Sequence, residues 1–121
     1  MKRHSLSQRE KRQIYRILSR IYVLFNEGRW RIRYDVIRGN YGLCEKEGVS
    51  PTSTGFVDED QRVIWVDYRE NILETIIHEC LHVIYPDRSE KEILELERFV
   101  LHNISRIQAV RLMRHTGHFL I

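Results

Sequence analysis

ETIIHECLHVIYP, from Glu74 to Pro86, sets two histidines four positions apart in an otherwise apolar segment, with a glutamate directly after the first. A helix meant only to pack would place Leu or Ile at positions 78 and 82, because a buried polar group without a partner is costly. The segment reads as a helix that starts between Asp67 and Asn71. It ends at Tyr85, since proline lacks the N–H needed to continue. Residues four apart share one helical face, so His78 and His82 can offer two imidazole nitrogens to a single ion at roughly 2.0–2.1 Å. Glu79 is turned about 100° around the axis from His78, off the metal but within reach of a water beside it. With six histidines in 121 residues, chance supplies this pattern about 0.03 times. Composition alone does not account for it.

Just downstream, Ser89 followed by Glu92 has the form of a capping box and opens a second helix. Its apolar positions Ile93, Leu96, Val100, Ile104 and Ile107 recur at helical spacing. Only Pro86, Asp87 and Arg88 separate the two helices, so the second folds back against the first. A catalytic zinc takes three protein ligands and keeps a fourth position open. The expected ligands are His78, His82 and Glu92, with Glu79 as the catalytic base. Glu95 and Glu90 stand behind Glu92 as third ligand, and Glu97, His102, His115 and His118 complete the donors on offer.

Upstream, Ser7 to Asn26 reads as an amphipathic helix. Ile14, Ile17, Leu18, Ile21, Leu24 and Phe25 lie on one side with basic residues opposite, and Ser7 with Glu10 has capping-box spacing. Trp30 to Ile37 alternates like a half-buried strand. Residues 38–53, with three glycines and Pro51, read as loop or irregular strand. Gly55 to Val57 and Arg62 to Val66 read as two strands joined by a polar turn. Grouped strands and segregated helices make the expected fold class α+β, with a three- to four-stranded sheet. No repeat, low-complexity tract or linker divides the chain, so residues 1–121 are expected to form one domain.

Net charge is +3, and that figure conceals a partition. Residues 1–40 carry a net +8, residues 41–97 a net −9 and residues 98–121 a net +4. The basic arms either dock on the acidic centre or meet an outside polyanion. The first helix shows no aromatic interleaving on its polar face, so a solvated face is expected there and nucleic acid is not. No apolar run is long enough to span a membrane and no signal-peptide pattern opens the chain. Two cysteines make no disulfide framework, and a cytoplasmic protein is the expectation. Cys80 reads as a small buried hydrophobe and Cys44 as a loop cysteine, with a zinc-blocking thiolate as the alternative for Cys44.

HECLH, a tight turn and the glutamate-bearing SEKEILELE resemble the gluzincin metallopeptidases. The small size is most like the minigluzincins, and the core is also similar to that of the ImmA/IrrE-type peptidases. The resemblance is specific over residues 72–100 and loose over 30–105. Cys80 departs from it, standing where an aliphatic residue is usual, and the spacing to a third ligand is short. The resemblance implies one zinc per chain held by His78, His82 and a second-helix glutamate, with Glu79 as general base and acid. It further implies a strand such as 62–66 as the upper rim, where a peptide or protein substrate adds as an extended strand. It also implies latency through a terminal segment of the chain itself. The C-terminal tail, with His115, His118 and Phe119 to Ile121, is the candidate plug, and a frayed end is the simpler expectation. The alternative function is a non-catalytic zinc-stabilised module that contacts nucleic acid or protein through the basic first helix.

Overall fold

The structure, a computed structural model, describes residues 6–117. It is α+β, with a three-stranded mixed sheet and five α-helices. Helix α1 (Gln8–Leu24) starts at the Ser7–Glu10 capping box and buries Ile14, Ile17, Leu18 and Ile21. Each such side chain contributes about 2 kcal/mol on leaving water. A short 3-10 turn at Asn26–Gly28 leads into β1 (Arg31–Asp35). β2 (Gly55–Asp58) and β3 (Val63–Asp67) form an antiparallel pair, and β1 runs parallel to β3 on its other side. The order β1-β3-β2 puts β3 in the centre.

Strand alternation sorts the sheet's residues between two cores. Ile32, Ile64 and Val66 join α1 and the helix α3 (Ile72–Ile84) in the main cluster, with Ile76, Ile77, Cys80 and Leu81. Val63, Trp65 and Phe56 face the opposite way, into a smaller cluster with Ile37 and Cys44. That second cluster is closed by α2 (Tyr41–Glu47), which occupies part of the span expected to be loop. Asn40 caps α2 through a hydrogen bond from the Leu43 N–H at 3.2 Å, and Gly48 ends it in the left-handed conformation at φ 69°. Those are ordinary start and stop signals for a helix. Cys44 is therefore a helical residue, and its Sγ donates to the Ile37 carbonyl at 3.3 Å.

Helix α4 (Glu90–Asn103) opens at the Ser89–Glu92 capping box and packs on α3. It stops short of Ile107: the chain turns extended at Ile104, and a separate helix α5 (Arg106–Gly117) begins. The Ser105 hydroxyl accepts from the Gln108 N–H at 3.1 Å while the Gln108 side chain accepts from the Ser105 N–H at 2.9 Å. This third capping box leaves Ile107 71% exposed instead of in the α4 core stripe. Among the described residues, no helix is long and apolar enough to cross a membrane.

Two contacts fix how the sheet sits. Gly55 of β2 passes so close to α3 that a Cβ there would lie 2.5 Å from Thr75 Cγ2 and 2.8 Å from the Trp65 carbonyl oxygen. Gly55→Ala is expected to lower stability by about 1–3 kcal/mol, since a tightly packed site absorbs an added methyl poorly. An unchanged urea midpoint would show that the strand can lift away freely.

At the end of β3, the fully buried Asp67 accepts from the Ile37, Arg38 and Arg69 N–H groups, each at 3.0 Å, and from the Arg69 guanidinium. The Arg69 side-chain hydrogen bonds hold its carboxyl well below the usual carboxylate range, against the opposing effect of burial. A depressed folded-state pKa stabilises the fold above the unfolded value of about 4, and that contribution is lost as pH falls through the folded value. Between pH 7 and pH 3 the melting temperature should therefore fall more steeply for the native chain than for Asp67→Asn. Parallel curves would show that Asp67 is not the coupled group.

Candidate metal centre

One turn of α3 presents His78 and His82 on the face that meets α4. Their Nε2 atoms lie 3.2 Å apart. Into the same space comes Glu90, the first residue of α4, delivered by the tight turn from Tyr85 to Ser89. Its Oε1 is 2.9 Å from His78 Nε2 and its Oε2 is 2.8 Å from His82 Nε2. Two donors about 2.05 Å from one tetrahedral ion would stand about 3.3 Å apart, close to these separations. The three residues offer ligand atoms all within 4.8 Å of one another, so this group can hold a metal ion.

Glu97, two turns further along α4, supports the arrangement. Its Oε1 is 3.0 Å from His78 Nδ1. Burial raises its carboxyl above the ordinary glutamate value, while His78 is the chief opposing influence. In the tautomer whose Nδ1–H donates to that carboxylate, the Nε2 lone pair of His78 is free for an ion shared with Glu90 and His82. This is the carboxylate–histidine support that orients metal ligands. Glu97 and Glu90 share a helix face seven residues apart, which is how one helix supplies both.

The glutamates are thus distributed differently from the expected set. Glu92 is committed to the helix cap: its Oε1 accepts from the Ser89 N–H at 3.2 Å and the Ser89 hydroxyl at 3.1 Å. It points along the N-terminus of α4 instead of toward α3, and the Ser89 bonds lower its pKa. Glu95 is exposed on the far side. Glu90→Ala is therefore expected to weaken metal binding by more than about 10-fold, and Glu92→Ala to leave it nearly unchanged while costing about 1 kcal/mol of stability. The reverse pattern in a metal-competition titration would restore Glu92 as the ligand.

Glu79 lies on the adjacent face of α3, 9% exposed, beneath β2. The ideal Cβ position at Gly55 is 3.4 Å from its Cγ. Burial pushes its carboxyl up to about 7; His78 opposes the rise, and Glu90 and Glu97 add to it. Cys80 is fully buried in the main core, facing away from the histidines as its helical position predicts. Cys44 belongs to the α2 cluster, separate from the ligand group. His115 is held elsewhere: its Nε2–H donates to the Tyr22 carbonyl at 3.1 Å, and its ring meets Tyr22 and Phe25 edge-on. It is not a metal ligand in this fold. His118 and Phe119 to Ile121 fall outside the described residues.

The strand expected as the substrate rim is not a sheet edge. Residues 63–67 form the central strand, hydrogen-bonded on both sides, so no further strand can add there. The sheet edge beside α3 and Glu79 is β2. Comparison with known proteins returned no matching family model, curated protein or solved structure.

Proposed function

We propose that this chain is a zinc-dependent metallopeptidase of gluzincin type. The observation that carries the reading is the convergence of His78, His82 and Glu90 on one point, with Glu97 Oε1 3.0 Å from His78 Nδ1. Imidazole nitrogens with a single carboxylate suit zinc better than calcium or magnesium, which favour oxygen donors. Bound there, zinc supplies Lewis acidity, lowering the pKa of a water and polarising a carbonyl. Glu79 takes a proton from the attacking water onto its carboxylate and returns it to the nitrogen of the departing amine. An extended substrate lies along the β2 edge, where its backbone pairs with the strand and passes Glu79.

The competing reading is a structural zinc site in a binding module. A structural site closes all four positions with protein ligands, whereas the group here numbers three among the described residues. Three protein ligands are what a catalytic zinc takes. The deciding experiment is hydrolysis of a peptide library by the zinc-loaded chain against its Glu79→Gln variant. Cleavage by neither would end the peptidase assignment, and equal cleavage by both would place the base elsewhere.

A further inference from the structure

Between α1 and α4 runs a groove of about 510 Å³ that the metal centre does not use. Arg9, Arg12, Arg16 and Arg20 of α1 line it, with Arg88 and Tyr85 from the end of α3 and the turn after it. Its apolar lining comes from Ile17 and Leu96. Among the described residues, Arg9, Arg12 and Arg16 have no ion-pair partner, and Arg88 meets only Glu92, at 3.7 Å. Positive charge on two walls of one concave surface is thus left largely uncompensated. We infer that the α1/α4 groove is a docking site for an extended acidic peptide segment.

Spacing is the first argument. Arg12, Arg16 and Arg20 follow one another at four-residue intervals, about 6 Å per step along the helix. Alternate residues of an extended chain lie about 6.6 Å apart on one face. A segment with carboxylates at every second position therefore meets the guanidiniums nearly in register. Arginine suits this pairing, because its planar fork engages carboxylates through two hydrogen bonds.

The groove's floor separates peptide from nucleic acid. The partly exposed Leu96 offers apolar contact, for which an intervening side chain of a peptide has a counterpart and a phosphodiester strand has none. A strand of bases needs free aromatic faces to stack on. The Tyr85 ring instead has the Arg20 guanidinium at 5.5 Å and that of Arg88 at 5.2 Å. Tyr15 is the exception. It is 72% exposed beside Lys11, Arg12 and Arg16 in the neighbouring hollow, so the basic face does carry an aromatic, contrary to the sequence expectation. Single-stranded nucleic acid is accordingly the competitor to test.

Fluorescence anisotropy of a dye-labelled peptide with glutamate at alternate positions and leucine between them tests the inference. Run on the Glu79→Gln variant, it reads binding alone and is independent of the hydrolytic reading. Substituting glutamine throughout the peptide should weaken binding about tenfold, and so should Arg12→Glu with Arg16→Glu, since each surface pair contributes modestly. Lys46→Glu on the exposed face of α2 should change nothing. Both arginines are exposed, and the milder Arg12→Gln with Arg16→Gln keeps the test usable if the reversal unfolds. Unchanged binding in the arginine variants would overturn the inference, as would tighter binding of a single-stranded oligonucleotide of equal charge. Loss of self-association in place of peptide binding would assign the groove to a second copy.

Discussion

His78→Ala and His82→Ala are each expected to lose the metal, with affinity falling by more than about 100-fold. Removing groups that merely orient ligands typically costs 10–100-fold, and these two residues supply donor atoms directly. Among the described residues, the ligand atoms of His78, His82 and Glu90 form one group, and His115 is engaged with Tyr22. The effect should also appear in stability. A ligand at about 100 times its dissociation constant stabilises the folded state by about 2.7 kcal/mol. Added zinc should therefore raise the melting temperature of the native chain and leave both variants unmoved. His78→Ala additionally strips Glu97 of its partner, so its apo form should melt below that of His82→Ala. Full zinc occupancy in both variants, measured by elemental analysis after dialysis, would remove the centre from this position.

Much of the fold was legible because local signals agreed with the tertiary outcome. The Ser7–Glu10 and Ser89–Glu92 boxes both formed, and Pro86 did end α3, whose last helical residue is Ile84. Where two signals competed, the louder one obscured the other. The helical periodicity from Ile93 to Ile107 hid the Ser105–Gln108 box that divides α4 from α5. Three glycines and a proline suggested a loop where Asn40 and Gly48 in fact bracket a helix.

That His78 and His82 share one face of α3 with Glu79 on the next was readable because it depends only on helix geometry. Which glutamate joins the two histidines depends on where α4 is aimed, and no local pattern encodes that. The sequence suggests two tasks for Glu92, cap and ligand, and one carboxylate cannot face both the N-terminal amides and the neighbouring helix. Once Glu92 caps α4, the first residue, Glu90, stands nearest the end of α3. Glu97 follows by period, as the residue two turns later on the same side. The acidic 41–97 segment thus divides its carboxylates among four places: Glu90 beside the two histidines, Glu97 behind His78, Glu79 beneath a strand and Glu92 on a cap.

Glu79→Gln is expected to keep the metal and the fold while lowering peptide hydrolysis by about 10²–10⁴-fold, the usual range for losing a general base. Glu79 contributes no atom to the His78/His82/Glu90 group, so metal content should not follow the substitution. Glutamine matches its shape in the narrow space under Gly55, where the ideal Cβ position is 3.4 Å from the Glu79 Cγ, and so should preserve the strand–helix contact. What the amide cannot do is accept a proton from water and carry it to an amine. The comparison separates two roles that an alanine substitution would confuse. Equal hydrolysis by the glutamine variant would place the base elsewhere. Loss of metal together with activity would make Glu79 a structural support of the centre and not its proton carrier. Retained metal and melting temperature with hydrolysis abolished is the one combination that the proposed chemistry requires.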